Sequence, residues 1–110
     1  MAKKKMPQRV AQAVIDRADG RCEVMNPFTC TGFGEHLHHR KISGREHTVE
    51  NVVSVCSADH RWIHANPAES YRLGWLVKMN YEPGETVMKY RGRPAILTED
   101  GGVQHQLIEE

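Results

Sequence analysis

The sequence lacks any long apolar segment. Hydrophobic residues make up 39% of its 110 residues, and no uninterrupted run approaches the roughly 20 residues that a membrane-spanning helix needs. The start, MAKKKMPQ, is basic but is not followed by the apolar stretch of a signal peptide. We therefore expect neither a transmembrane nor a secreted chain, and a cytoplasmic location. A chain of this size is expected to form one small globular domain with a thin core.

The sequence contains few cysteines, and their number is odd. Cys22, Cys30 and Cys56 are the three present. Three cysteines cannot form two disulfides, and an intracellular setting disfavours even one. A disulfide-stapled fold is therefore not expected.

Net charge is small, but it is unevenly distributed. The formal charge is +1; residues 1–45 carry nine Lys or Arg against four acidic residues, and residues 46–110 carry six against ten. A basic first half is suited to contact with the phosphates of a nucleic acid, although a solvated surface explains most such charges equally well. The candidates for phosphate contact are Lys3, Lys4, Lys5, Arg9, Arg40, Lys41 and Arg45.

Histidine, by contrast, is concentrated in one stretch. All histidines except His105 lie within residues 36–64. Ser57 follows an apolar run and predicts the N-cap of a helix, with Asp59 in its first turn, where negative charge is favoured. On such a helix His60 and His64 are four residues apart, so both imidazoles project from one face and can bind one ion.

A third ligand is expected from the adjacent pair His38 and His39. Neighbouring side chains of a strand point to opposite faces, so one imidazole can bind the ion while the other takes a different task. Imidazole is well suited to remove a proton from water near neutral pH. The alternative is a closed zinc site without catalysis, against which a histidine outside the ligand set argues. His36, His47 and His105 are interpreted first as surface or satisfied polar residues.

Several segments together carry a family resemblance. They are His38-His39-Arg40, Glu50-Asn51-Val52, His60-Arg61-Trp62-Ile63-His64 with the following Ala65-Asn66-Pro67-Ala68-Glu69, and Gly74-Trp75-Leu76-Val77. The first three resemble the His-Asn-His (HNH) endonuclease signature of the ββα-metal nucleases, and the paired histidines followed by two spaced ones are similar to the colicin-type DNases. The closer resemblance is to small HNH proteins of actinobacterial phages and their hosts, and it covers roughly residues 9–100.

The resemblance implies a role for four histidines and one asparagine of these segments. His39 would be the general base that activates water, and His38, His60 and His64 would bind a divalent ion. Asn51 would not touch the metal but would fix the loop between the two strands and so orient the base, a task that suits an amide able to donate and accept. The implied fold is α+β, a small ββα-metal (His-Me finger) domain with an N-terminal helix and a C-terminal β extension.

The cysteines lie where many members of that family bind a structural zinc, usually through four cysteines in two pairs. This chain has Asp59 where the second pair commonly ends in Cys. Two interpretations stay open. Cys22, Cys30 and Cys56 bind zinc with a fourth ligand from Asp59, another side chain or water, or the site has decayed and the cysteines are buried apolar residues.

The remaining segments are expected to be scaffold. Residues 9–18 predict a packing helix through Val10, Val14 and Ala18, with Ala11 and Ile15 on the same face; Arg17 of this helix is expected to be solvated, with contact to DNA as the sharper alternative. A short helix is predicted to begin at Pro67 and to pack through Trp62, Tyr71, Leu73, Trp75 and Leu76. Strands are predicted within residues 52–55, 86–90, 94–98 and 103–107.

Taken together, these features divide the chain into a basic flexible tail at residues 1–8, an HNH nuclease domain at 9–77 and a β-rich extension at 78–110. The predicted function is metal-dependent DNA endonuclease, nicking one strand or cutting both as an oligomer. The ion is zinc, nickel or cobalt by affinity, or manganese or magnesium by availability. No recognition helix or repeat is evident, so little sequence specificity is expected.

The predicted partners follow from the phage-like resemblance. They are DNA and phage terminase or portal proteins during DNA packaging, for a monomer or homodimer of a phage or prophage protein in a bacterial host, without a membrane. Two alternatives stay open: a non-catalytic DNA-binding packaging accessory, and a zinc-stabilised binding module whose nuclease site is vestigial.

Overall fold

Three helices and two small antiparallel sheets form the chain in the computed structural model, which describes residues 5–44 and 46–106. The α+β class is therefore confirmed. Within those ranges no helix is long and apolar enough to cross a membrane. Residues 1–4 of the predicted tail lie outside the described residues. The elements are α1 (Gln8–Ala18), β1 (His36–His39), β2 (Val52–Val55), α2 (Ser57–Ala65), α3 (Pro67–Arg72), β3 (Met88–Tyr90), β4 (Arg93–Leu97) and β5 (Val103–His105), with a 3₁₀ turn at Pro83–Glu85.

The first sheet is the hairpin-like pair of β1 and β2. The strands are antiparallel, with His36 opposite Val55 and His39 opposite Val52. Every residue of β2 is buried, because α1 packs on this strand. The predicted helix and its buried residues Val10, Val14 and Ala18 are confirmed, whereas Ile15 is 46% exposed. This pair leads directly into α2, so the order is strand, strand, helix.

A buried ion pair joins α1 to the sheets. The Arg17 side chain is 3% exposed, and its Nε donates to Glu23 Oε2 over 2.7 Å. Arg17 also donates to the carbonyl oxygens of Val49 and Val52, and Glu23 accepts from the Tyr90 hydroxyl. The expectation of a solvated or DNA-facing Arg17 is wrong, because its guanidinium is used inside the fold.

The second sheet has the order β3-β4-β5, with both pairs antiparallel. Its buried side chains belong to the same hydrophobic core as the first sheet and α2. That core includes Cys22, Val53, Val55, Cys56, Ile63, Trp75, Met88, Tyr90, Ala95 and Leu97. The β-rich segment after residue 77 is therefore packed on the first sheet through one shared core.

The segment after α3 is brought close to β3 and to β1. Gly74 has a φ of +74°, and a Cβ there would lie 2.2 Å from the Val87 carbonyl oxygen, so a larger residue does not fit. Val77 N donates to the Arg40 carbonyl oxygen over 2.8 Å. The predicted burial of Trp75 and Leu76 is confirmed, whereas Tyr71 is 38% exposed. This path places the backbone at Trp75 beside His38.

Candidate metal centres

Three histidines from two elements converge at the first centre. His38 lies on β1, and His60 and His64 lie one helical turn apart on α2. One ring nitrogen of each lies within 4.8 Å of the corresponding nitrogens of the other two. The ring centroids are 5.0 to 5.3 Å apart. The strand and the helix therefore present the three predicted ligands to one point.

His38 is held in the orientation of a metal ligand. It is 1% exposed, and its Nε2 lies 2.8 Å from the Trp75 carbonyl oxygen. A carbonyl only accepts, so Nε2 carries the proton and the lone pair of the neutral ring is on Nδ1. Burial lowers the pKa of His38 to about 3, so the ring is neutral near pH 7. Burial, with His64 and His36 nearby, also lowers the pKa of His60.

This donor set fits a divalent transition-metal ion. Neutral imidazoles bind zinc at about 2.0–2.1 Å, which sets tetrahedral ligands about 3.3 Å apart, and the three nitrogens here lie within 4.8 Å of one another. Three protein ligands leave a coordination position for water or a substrate, as catalytic rather than structural sites do. The three histidines are therefore able to form an open metal site.

His36 also contacts this cluster, although the sequence suggested only a surface role for it. Its Nδ1 lies 3.0 Å from His60 Nδ1, and the two rings meet edge to face. With those nitrogens hydrogen-bonded to each other, His60 presents its Nε2 to an ion. The signal was available in the sequence, because alternate residues of a strand share a face and His36 is two residues before His38.

His39, the predicted base, is not a member of the three-histidine group. It is half-buried, and its Nε2 lies 3.0 Å from His47 Nδ1. The rings are 5.1 Å apart and tilted by 58°. His47 belongs to the β1–β2 loop, and its contact with His39 depends on the path of that loop, so the sequence carried no signal for it.

Asn51 lies in the interior and braces the β1–β2 loop. The side chain is fully buried. Its Oδ1 accepts from Lys41 N over 2.7 Å, and its Nδ2 donates to the carbonyl oxygens of Glu46, over 2.9 Å, and Lys41. One amide thus ties the two ends of the loop together, and none of these contacts is with an imidazole.

The predicted phosphate contacts near the centre require a correction. Arg40 is fully buried and donates to the carbonyl oxygens of Gly74, Glu50, Pro83 and Thr86. Its assignment as a DNA contact is wrong, because its donors are used inside the fold. Lys41 is 9% exposed, which leaves little of it accessible to a phosphate. Arg45 lies outside the described residues.

The second centre consists of Cys22, Cys30, Cys56 and Asp59, whose ligand atoms all lie within 4.8 Å of one another. The sulfur atoms of Cys30 and Cys56 are 4.0 Å apart, close to the roughly 3.8 Å expected for two thiolates on tetrahedral zinc. Cys22 Sγ donates to Asp59 Oδ2 over 3.2 Å. All three cysteines are free thiols, as expected. The four side chains fit a closed structural site.

Asp59 occupies the position of a fourth ligand and is fully buried. Its Oδ1 accepts from the Thr29 hydroxyl over 2.7 Å, and its Oδ2 accepts from Asn26 N over 3.0 Å. Burial raises the pKa values of Cys22 and Cys30, so the thiols are protonated without an ion, and an ion would displace their protons.

The Cys56 side chain also begins α2. Its sulfur accepts from Asp59 N over 3.3 Å, so Cys56, and not the predicted Ser57, is the N-cap. The second centre is therefore built into the start of the helix that carries His60 and His64.

Comparisons with family models, curated proteins and solved structures found no match for this chain. Within residues 5–44 and 46–106, the two clusters above are the groups of three or more His, Cys, Asp or Glu side chains able to hold a metal ion. They are therefore the observations from which a function is inferred.

Proposed function

We propose that the chain is a metal-dependent endonuclease of the ββα-metal (HNH) type that hydrolyses DNA phosphodiester bonds. One observation carries the proposal: imidazole nitrogens of His38, His60 and His64 lie within 4.8 Å of one another, immediately beside His39 in the chain. The order of β1, β2 and α2 supports the same interpretation, because that unit supplies the ligands in this type of nuclease.

His39 acts as the general base in this proposal. It removes a proton from water while the water oxygen forms a bond to phosphorus, and the bond from phosphorus to the 3′ oxygen breaks. The 3′ oxygen takes a proton from solvent water, so the products are a 5′-phosphate and a 3′-hydroxyl. His38, His60 and His64 would hold a divalent ion, which would supply positive charge next to the negative charge of the transition state. Asn51 keeps the β1–β2 loop, and with it the base, in place.

The second centre is proposed to bind a structural zinc ion. Its three thiol groups and one carboxylate make four ligands, which is the coordination number of closed structural sites. Because Cys56 and Asp59 lie at the start of α2, such an ion would fasten the loop of Cys22 and Cys30 to the histidine-bearing helix. Small domains gain a large part of their stability from such sites.

The ion at the histidines is proposed to be zinc or nickel by affinity, or manganese or magnesium by abundance. DNA is the proposed substrate, and phage terminase or portal proteins are proposed partners in packaging. A single site cleaves one strand at a time, so a monomer nicks and a homodimer is needed for a double-strand break.

The test is conversion of supercoiled plasmid to the nicked form by protein loaded with zinc at the second centre. Wild type, His39→Ala and the matched control His105→Ala, which removes an exposed histidine of β5, are each assayed with magnesium, manganese, nickel and zinc. We expect metal-dependent nicking by wild type and the control, and a rate at least about 100-fold lower for His39→Ala.

Calorimetric titration of the same proteins shows whether His39→Ala still binds the ion. Ion binding retained with nicking lost supports the proposed role of His39. DNA binding without cleavage in any of the four ions would overturn the enzyme proposal and favour the zinc-stabilised binding module. Equal nicking by wild type and His39→Ala would contradict the assignment of the base.

A further inference from the structure

We infer that His47 is a positioning residue for His39, fixing the ring and the tautomer of the base in the nuclease reaction proposed above, on which this inference rests. The observation is the hydrogen bond between His39 Nε2 and His47 Nδ1, 3.0 Å long. His47 lies eight residues further along the chain, and both side chains are half-buried.

The fold fixes the distance between these two rings through Asn51. Its Nδ2 donates over 2.9 Å to the carbonyl oxygen of Glu46, the residue before His47. Its Oδ1 accepts over 2.7 Å from the backbone N of Lys41, two residues after His39. A single buried amide therefore holds the backbone close to each of the two histidines.

The tautomer matters because only one arrangement leaves His39 able to accept a proton. If Nε2 of His39 donates to Nδ1 of His47, the lone pair of the His39 ring is on Nδ1. If His47 donates instead, the lone pair of His39 is on Nε2 and is occupied by that hydrogen bond. The first arrangement is the one that makes His39 a base.

The pair also stabilises His39 after it accepts the proton of water. That proton goes to His39 Nδ1, and the ring becomes positively charged. The bond from its Nε2 to His47 Nδ1 then becomes charge-assisted, and therefore shorter and stronger. His47 touches no reacting atom in this scheme, so its role is positioning.

The first test uses nuclear magnetic resonance and does not depend on cleavage. Long-range ¹H–¹⁵N spectra of the full chain, loaded with zinc and labelled with ¹⁵N-histidine, report which nitrogen of each ring carries the proton. His39→Gln identifies the signals of His39. We expect the proton of His39 on Nε2 in wild type and a mixture of tautomers in His47→Leu. A proton on Nδ1 in wild type, or the same tautomer in both proteins, would overturn the inference.

The second test compares three variants in the plasmid assay. His47→Leu removes the acceptor at similar volume, His47→Asn restores an acceptor oxygen near the place of Nδ1, and His105→Leu is the matched control. We expect His47→Leu to lower kcat about 10- to 100-fold with KM within about twofold, as for other orienting hydrogen bonds. His47→Asn should recover most of kcat.

Failure of the inference is distinct from failure of the proposed function. Cleavage by wild type with unchanged kcat in His47→Leu, or with His47→Asn as slow as His47→Leu, removes the role of His47 and leaves the nuclease. No cleavage by wild type in any ion removes the nuclease, and with it the role of His47 in the reaction. Equal melting temperatures of the variants exclude a loss of folded protein as the cause of lower kcat.

Discussion

Arg40→Lys distinguishes a structural arginine from a phosphate contact. If Arg40 contacted a phosphate, lysine would retain most of its contribution to DNA affinity, because that contribution is largely electrostatic and the positive charge is kept. The buried site of Arg40 requires a planar fork, since Nε, Nη1 and Nη2 each donate to different carbonyl oxygens. We therefore expect the substitution to lower stability strongly.

The magnitude follows from the hydrogen bonds that lysine cannot make. The four bonds of Arg40 are 2.8 to 3.1 Å long and run from a charged donor to oxygens of four different residues. A single ammonium cannot reach all of them, and each lost bond of this kind costs roughly 1.5–3 kcal/mol. Loss of two of them gives a decrease of about 3–6 kcal/mol in the free energy of unfolding, or roughly 12–24 °C in Tm at about 4 °C per kcal/mol.

The assay is urea and thermal unfolding followed by circular dichroism, with metal content held fixed. Arg61→Lys is the matched control, since Arg61 is an exposed arginine on α2, and we expect a change below about 0.5 kcal/mol for it. Plasmid affinity and its salt dependence are measured on the same samples. A change below about 1 kcal/mol for Arg40→Lys, with plasmid affinity and its salt dependence close to those of wild type, is the result that a phosphate contact predicts and would refute the structural role.

Three further predictions concern the two metal centres. Without metal, the free energy of unfolding falls as the pH drops from about 6.5 to about 3, by up to about 1.4 kcal/mol per pH unit, because His38 binds a proton more readily in the unfolded chain than in the fold, where its pKa is about 3. Urea unfolding at several pH values should give a free energy of unfolding that depends less on pH for His38→Gln than for wild type, and an equal dependence would contradict this. Asp59→Cys completes a set of four thiolates, so we expect the variant to lose zinc to a chelator more slowly than wild type, and faster loss would be the contrary result. Without metal we expect the variant to be less stable than wild type, because Thr29 and Asn26 lose the carboxylate that accepts their hydrogen bonds. His36→Ala removes the hydrogen bond that orients His60, so calorimetry should show ion binding at the three histidines weakened about 10- to 100-fold. An affinity equal to that of wild type would contradict this role of His36.

Local sequence patterns predicted the elements that carry the histidines. The apolar run at Val52–Val55 and the polar start of α2 are short-range signals, and both elements lie within a residue of their predicted positions. The spacing of His60 and His64 sets their common face by helix geometry alone. Strand geometry predicted a third ligand from the adjacent pair His38 and His39, whereas the choice of His38 came only from the family resemblance.

Burial of the charged residues was not predictable in the same way. The partners of Arg40 include the carbonyl oxygens of Gly74 and Thr86, 34 and 46 residues away, so no local pattern distinguishes it from a surface arginine. Arg17 is similar, because its partner carbonyl at Val52 is 35 residues away. The contact of His47 with His39 depends on a loop whose course is set by a buried amide. Such contacts are properties of the tertiary fold.

Chemical rescue tests the central claim most directly, namely that His39 is the base of a metal-dependent nuclease. Nicking of supercoiled plasmid by His39→Gly is measured with the divalent ion that gives wild type its highest rate, kept in excess, in the absence and presence of added imidazole. We predict little cleavage without imidazole and a rate that rises with its concentration, while the wild-type rate stays constant. Wild-type rates for His39→Gly without imidazole, or no cleavage by wild type in any divalent ion, would contradict the claim.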